Sequence, residues 1–518
     1  MKPHQNKIAE AAALLTGLEL LTAGTGLLRQ MIVAAQFGTS ETTDAYVVAI
    51  TVIGLVQLWL IVPIRQVILP LFRYDLVRYG EQQAWANISI ILNNSFLVLL
   101  GVVLVGWFSA SALVSLLSPG FTEEATALAT ELTQITMISL IFLVLGKVLE
   151  QILFAYERFF LPGISDLTNN IVTLIALLAL GNSYGIHGLA TAVVLGAVFE
   201  FFSQLPILWE KRKLYRREVD LRHPGMREVG RLSLPLLLSN SGVELARITD
   251  RIFASFLSVG SLSALSFASR PVSILLDIVV NPLQKSVFPH FTKLSAEENF
   301  SALSRQNAQY LRVMLFLTLP IGIGLLIVAE PVVRLLYQRG AFDETSVRLT
   351  SESLACYALG LPAIALSRVF NRTFLSLKDT WTPTKTSLLR IGIKILLSAV
   401  LVQPFAHIGL ALAESLSHVI RTFMLFLLLP DQVKGQEGWN TIRSFRQTLV
   451  ACSVMGFAVF LLKEQIAGLL SVPLEVTALV LFGCASYGAI AFVSKGEEAF
   501  SLLKVLTALG ERYLSRKS

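Results

Sequence analysis

The chain has 518 residues, 54% hydrophobic and 15% charged, with mean hydropathy +0.67, a net charge of +7 and a pI of about 9.3. Soluble domains carry about 25% charged residues, so a soluble globular protein is excluded; the long apolar runs also exclude a β-barrel, whose strands are shorter and alternate at period two. The positive excess is read as the topological signal of cytoplasmic loops rather than as a nucleic-acid surface.

In chain order, a short basic start (Met1 to Lys7) precedes an apolar run with no small-residue cleavage site, so that run reads as a retained helix and not a signal peptide. Fourteen spans follow, near 10–36, 43–71, 88–117, 127–155, 162–181, 184–208, 228–257, 262–289, 308–329, 347–376, 384–403, 406–429, 447–463 and 474–494, each near the roughly 20 residues needed to cross a bilayer. Turn-rich stretches divide them: FGTSETTD (37–44), SPGFTEE (118–124), GNSYG (181–185) and KDTWTP (378–383). Lys and Arg fill 72–87, 156–161, 209–227, 290–307, 377–385 and 430–446, whereas 37–42, 118–126, 182–184, 258–261 and 404–405 hold none. This alternation predicts both termini in the cytoplasm. The exceptions are Lys463 and the 330–348 loop, where Arg334, Arg339 and Arg348 are offset by acids. Cys356, Cys452 and Cys484 lie in apolar runs without ligand spacing, so no disulfide framework or zinc site is expected.

VPIRQVILPLF (62–72) closes span two, and NPLQKSVFPHF (281–291) closes span eight, 219 positions later. A displacement of six spans, an even number, gives the two copies the same direction, which predicts parallel six-helix repeats. The expected organisation is an N-terminal lobe 1–208, a basic cytoplasmic linker 209–227, a C-terminal lobe 228–429, and helices 13 and 14 with a tail over 430–518. Pro63, Pro70, Pro282 and Pro289 are candidate kinks.

A charge at the bilayer centre costs at least about 2.5–3.5 kcal/mol, so charges inside spans must face a cavity or a partner. Lys147, Arg390 and Lys394 lie near predicted cytoplasmic ends and are expected to snorkel. Asp250 and Arg251 fit a structural ion pair or a site equally well, and His418 reads as a helix-contact residue. Arg29 and Arg270 fall in the outer halves of spans one and eight, where bidentate guanidinium groups suit a phosphorylated substrate. Arg368 and Arg372 lie one helical turn apart in span ten. Glu200 and Asp250 are candidate coupling or charge-partner residues. No Walker motif is present, and no external loop is long enough for an enzyme active site, so a transporter rather than an enzyme is expected, without cofactor or metal.

GLLRQMIVAAQFG (26–38), TTDAYVVA (42–49), TDRIFASFLSVGSLSALSFASRP (249–271), RLLYQRGAFDETS (334–346) and ALGLPAIALSRVFNRTFLSLKDTWTPTK (358–385) resemble the MurJ/MviN-type lipid II flippases of the multidrug/oligosaccharidyl-lipid/polysaccharide exporter superfamily. The resemblance covers nearly the whole chain. It implies an all-α polytopic membrane protein of about 14 helices, V-shaped, with a central cavity between two lobes. It further implies a bacterial inner-membrane flippase that carries an undecaprenyl-pyrophosphate-linked precursor to the outer leaflet by alternating access. The candidate substrate set is Arg29, Asp44, Arg251, Arg270 and Arg372, with Asp379 in the pattern after span ten. Partners are the polyprenyl-linked glycan, membrane lipids and a counter-ion, Na+ or H+, but no nucleic acid. The chain departs from the family pattern at Ala23, Gln30, Thr51, Ile53, Gln57, Leu58 and Ser269, which implies a less basic first-half cavity. The alternatives are a drug antiporter of the same superfamily, which requires an acidic cavity, a membrane glycosyltransferase, and a non-transporting scaffold.

Overall fold

The computed structural model describes residues 2–220, 222–223, 225, 229–231, 245–434 and 438–493. The start of span seven with Glu244, the end of the basic linker and the tail 494–518 lie outside the described residues. The elements are α1 (Lys2–Phe37), α2 (Glu41–Arg78), α3 (Gly80–Leu117), α4 (Glu123–Met137), α5 (Ser139–Ala155), α6 (Phe160–Gln204), α7 (Pro206–Glu210), α8 (245–255) and α9 (Ser261–Leu275). A π turn (Leu276–Val280) leads into α10 (Asn281–Ala296), followed by α11 (Phe300–Ile327), α12 (Ala329–Tyr337), α13 (Glu344–Ser376), α14 (Trp381–Leu428), α15 (Asp431–Lys434), α16 (Gly438–Ile466) and α17 (Val472–Val493). No strand occurs among the described residues.

Ten of these helical segments are long and apolar enough to cross a membrane. Two of them are too long to be single spans: α6 has 45 residues and α14 has 48, about 70 Å of straight helix at 1.5 Å per residue. Each is broken by one left-handed residue, Gly185 (φ 55, ψ −134) and Ala406 (φ 48, ψ −127). Beyond the break the chain folds back. A Cβ on Gly188 would stand 2.5 Å from the Leu180 carbonyl oxygen, and one on Gly409 would stand 2.1 Å from that of Leu401. The breaks fall where the sequence separates spans five from six and eleven from twelve. Helices α1 and α8 fall on the first and seventh predicted spans.

The repeat is written in the backbone. Left-handed residues pair across the two halves: Gly38 with Gly260, Gly80 with Glu298, Glu157 with Lys378, and Gly185 with Ala406. Only Gly340 and Gly468 lack such a partner among the described residues. From Glu157 onward the separation is constant at 221 positions, and the turns that close spans four and ten repeat the same bonds at that offset, Arg158 N–H to Leu153 and Asp379 N–H to Phe374, which gives a register from the ends of spans four and ten through spans six and twelve. The repeats differ at the paired prolines. Helix α2 runs as α-helix through Pro63 and Pro70. The stretch before Pro282 instead widens into the π turn, and the Asn281 N–H donates to the Leu276 carbonyl. The wider turn rearranges the ladder just where the proline lacks an N–H.

The chain forms two compact units, Met1–Ser263 with Arg339–Asp343, and Ala264–Gln338 with Glu344–Ser518. In the first, Phe72, Trp85, Ile88, Val148 and Ile152 form a buried core. It is pinned where the Trp85 indole N–H donates to the Tyr156 hydroxyl at 2.8 Å. The basic linker is strapped to α3: the Asn93 amide donates to the carbonyls of Arg216 and Glu218, and that of Asn94 to Asp220. In the second unit, α16 and α17 pack on α11 through Phe316, Cys452, Met455 and Leu479, and the Tyr487 hydroxyl donates to the Phe316 carbonyl at 2.9 Å.

Candidate functional site

Three groups of side chains in the first unit involve predicted site residues. At the end of α2 nearest residue 40, Asp44 is 5% exposed. Its two carboxylate oxygens accept the backbone N–H groups of Gly260 and Ser263, each at 2.7 Å. These are orphan donors at the start of α9, so Asp44 caps that helix from a different part of the chain. Around it, glycine turns interlock. The Ala341 N–H donates to the Ala35 carbonyl at 2.7 Å. A Cβ on Gly340 would lie 2.2 Å from that same oxygen, one on Gly38 2.3 Å from the Ala341 oxygen, and one on Gly260 2.5 Å from the Thr39 oxygen. All three glycines have positive φ, so both the conformation and the close approach require them. Gly120 completes the interlock, its N–H donating to the Ser255 hydroxyl at 3.1 Å.

Two turns further along α2, the Arg251 Nε donates to the Thr51 hydroxyl at 3.0 Å. Thr51 stands where the family pattern carries a basic residue, so a cation from α8 reaches the side chain that replaces it. Arg251 is also within electrostatic reach of Asp44, while Asp250 precedes it on α8. Arg29, part-buried on α1, acts electrostatically on Tyr46.

The third group centres on buried Lys147 and Glu200 and spans α2, α5 and α6. The Lys147 ammonium meets Asp166 at 2.6 Å, Glu150 at 2.9 Å and Glu200 at 2.9 Å. Arg65 approaches Glu150 at 3.8 Å, and the Asn169 amide donates to Glu200 at 2.9 Å. Lys147 is 5% exposed, so the expectation that it snorkels is wrong. Glu150 on its own helix and Asp166 and Glu200 on the two arms of α6 hold it inside, where pairing offsets the desolvation of each ion.

In the second unit, the span-ten arginines form a ladder with α10. The Arg368 guanidinium donates to Asn281, whose amide donates to Asp277 at 2.9 Å. One turn on, Arg372 lies 5.1 Å over the Phe288 ring. With the Gln284 amide oriented by its hydrogen bonds, its oxygen accepts from the Arg372 Nε at 2.8 Å. Arg270 is part-buried on α9 and acts on buried Tyr337, whose hydroxyl donates to the Phe267 carbonyl. Arg390 and Lys394 also fail the snorkelling expectation, at 5% and 1% exposed. Glu414 receives Lys394 at 2.5 Å, His418 at 3.1 Å and Arg390 at 3.4 Å.

Of the predicted residues, the structure gathers Asp44 and Arg251 in one unit; Glu200 joins a separate group there. Pro63 and Pro70 lie on α2, and Pro282 and Pro289 on α10. The interlock partners Gly38, Gly260 and Gly340 were missed by sequence reasoning, although a left-handed glycine at each turn is a signal the residue type itself carries. No group of three or more His, Cys, Asp or Glu side chains able to hold a metal occurs among the described residues.

A duplicated, wholly helical membrane bundle with charged groups buried inside each unit defines a polytopic transporter fold. Comparison with known proteins makes this specific. A family model described as lipid II flippase MurJ matches residues 33–481, and the chain belongs to that family. The lipid II flippase MurJ of Burkholderia cenocepacia is 27% identical over 454 residues, covering 86% of this chain and 88% of the relative. A probable lipid II flippase MurJ of Buchnera aphidicola is 26% identical over 437 residues, covering 83% and 85%. Among solved structures, a lipid II flippase MurJ in an inward closed conformation superimposes with a TM-score of 0.79 at 23% identity, over 93% of this chain and 98% of that one. An inward-facing multidrug resistance MATE transporter gives 0.66 at 13% identity, over 82% and 94%. These two structural likenesses bear on the fold alone.

Proposed function

We propose that the protein flips an undecaprenyl-pyrophosphate-linked cell-wall precursor, lipid II or a closely related lipid-linked glycan, from the cytoplasmic to the outer leaflet of a bacterial inner membrane. The observation that carries this reading is the family match over residues 33–481. The part-buried arginines add chemical support. A polar headgroup crosses hydrocarbon only inside a wet, charged passage, and guanidinium groups hold pyrophosphate in bidentate fashion. Arg29 and Arg251 of the first unit and Arg270 and Arg372 of the second are the proposed pyrophosphate ligands. Asp44 acts there as the latch of a gate rather than as a ligand, since both its oxygens are already hydrogen-bonded. The charge rule assigns both termini to the cytoplasm and this gate to the outer face.

The lipid tail stays in the bilayer during the passage. An apolar groove of 540 Å³ in the second unit, lined by Leu315, Leu359, Phe370, Phe423, Phe426 and Phe445, supports a tail path beside α16. Outward movement of a negative headgroup is favoured by an inside-negative potential, by about 2.3 kcal/mol per charge per 100 mV. Proton or Na+ coupling would run through Glu200 and Asp250.

The test is reconstitution in proteoliposomes with fluorescent lipid II and a leaflet-specific quencher. Translocation by wild type, lost in Arg270→Ala while the variant keeps its thermal stability, is the expected result. Wild-type translocation by a folded Arg270→Ala variant would refute the ligand assignment, and no translocation of any polyprenyl-linked glycan by wild type would refute the function.

A further inference from the structure

We propose that the seam between the two arms of α14, where it faces α13, is a binding site for a small monovalent inorganic anion of the chloride class, held by Arg390 and Arg421. The 221-residue register aligns Asn169 with Arg390 and Glu200 with Arg421. In the first unit this seam holds an anion that is part of the chain: the Glu200 carboxylate accepts from the Asn169 amide and pairs with Lys147, both at 2.9 Å. In the second unit the same two positions carry guanidinium groups, 5% and 9% exposed, within electrostatic range of each other.

The carboxylate at this seam is Glu414, and it is already committed. One oxygen lies 2.5 Å from Lys394, and the other is shared by His418 at 3.1 Å and Arg390 at 3.4 Å. The Arg421 Nη2 donates to a neutral partner, the Asn371 amide oxygen, at 3.2 Å. Among the described residues, the Nε–H groups of both arginines are buried with no hydrogen-bond acceptor. A guanidinium brings a positive charge into the low-dielectric interior, where an ion without full compensation is strongly unfavourable. A diffusible anion at this seam would do what the Glu200 carboxylate does in the first unit. The two Nε–H donors left over at the site suit a small halide, and its burial excludes a sugar-bearing phosphate headgroup.

The experiment uses the full-length purified protein in detergent. Sodium chloride or bromide is titrated against sodium gluconate at constant ionic strength, and thermal unfolding is followed. Halide should raise Tm along a saturable curve, and Arg390→Gln and Arg421→Gln should each lose that shift. Crystals grown in bromide should show an anomalous peak beside both side chains. A Tm independent of halide in wild type, a shift retained in both variants, or bromide bound only elsewhere overturns the proposal. The bromide map decides the matter even where a variant fails to fold.

Discussion

Replacing Asp44 with Ala removes both acceptors from the interlock while leaving its glycines in place. Each lost bond is a short, charge-assisted one at 2.7 Å, and hydrogen bonds to charged groups contribute about 1.5–3 kcal/mol each. The freed N–H groups recover part of that by meeting water, because they lie at a helix start where substitution of a capping residue costs about 0.5–2 kcal/mol. A net loss of about 2–3 kcal/mol for the closed arrangement follows, equivalent to a roughly 30- to 150-fold shift toward opening. The assay places a single cysteine at Ser40 in a background lacking Cys356, Cys452 and Cys484, and labels intact cells with a membrane-impermeant maleimide. Asp44→Ala should raise the labelling rate by at least about tenfold and slow flipping, since the cycle then dwells open at that face. Labelling and flipping both equal to wild type would refute the gate assignment.

Gly340→Ala should behave like Asp44→Ala, because its Cβ would stand 2.2 Å from the Ala35 oxygen; Gly80→Ala, also at positive φ but with nothing within 4 Å, should cost only about 1 kcal/mol, read as the difference in Tm. Lys147→Met leaves three carboxylates facing one another and should destabilise by about 3–5 kcal/mol; adding Glu200→Leu should recover part of the lost Tm, and no recovery would contradict the pairing. Ala406→Gly relieves a left-handed alanine and should raise stability by about 1 kcal/mol, measured as a higher Tm. Asp379, in the loop before α14, accepts the N–H groups of Trp381 and Thr382, each at 3.0 Å. Burial pushes its carboxyl up, but these bonds and Lys385 outweigh it and hold the pKa below the ordinary range. A depressed folded pKa stabilises above the unfolded value, about 3.9, and that stabilisation is lost as pH falls through the folded one. Asp379→Ala should therefore lower Tm equally from pH 5 to 8, and the gap should close only under stronger acid.

The membrane class, the spans and the repeat were legible because they depend on local signals: run length, loop charge and proline spacing. Even the fold-back points at Gly185 and Ala406 fall at the edges of the Lys/Arg-free gaps 182–184 and 404–405. What stayed hidden was pairing at long range. Asp44 looked like a ligand because its partners, the N–H groups of Gly260 and Ser263, lie more than two hundred positions away and belong to the backbone, which leaves no trace in residue type. Lys147, Arg390 and Lys394 looked like snorkelling ends for a related reason. Depth along a helix can be counted from sequence, but which neighbouring helix offers a carboxylate at that depth cannot. The glycine turns lie between these cases, since left-handed geometry is suggested by the residue while the carbonyl it abuts is not.

The two repeats share the same backbone reversals at the same register, yet their seams carry opposite charge. Lys147, Glu150, Asn169 and Glu200 stand in one where Arg368, Asn371, Arg390 and Arg421 stand in the other. If burying these ions were what held the fold, one arrangement would serve both halves, because the packing problem is the same twice. Buried ion pairs contribute little net stability beside apolar groups of similar volume, and the common turns survive inversion of the charges around them. The charges therefore do not follow from packing alone: one half carries an acidic seam built around Lys147, and the other a basic seam that, on the proposal above, takes a small anion. That division gives a duplicated scaffold two chemically distinct handles on a single conformational cycle, which two identical halves would lack.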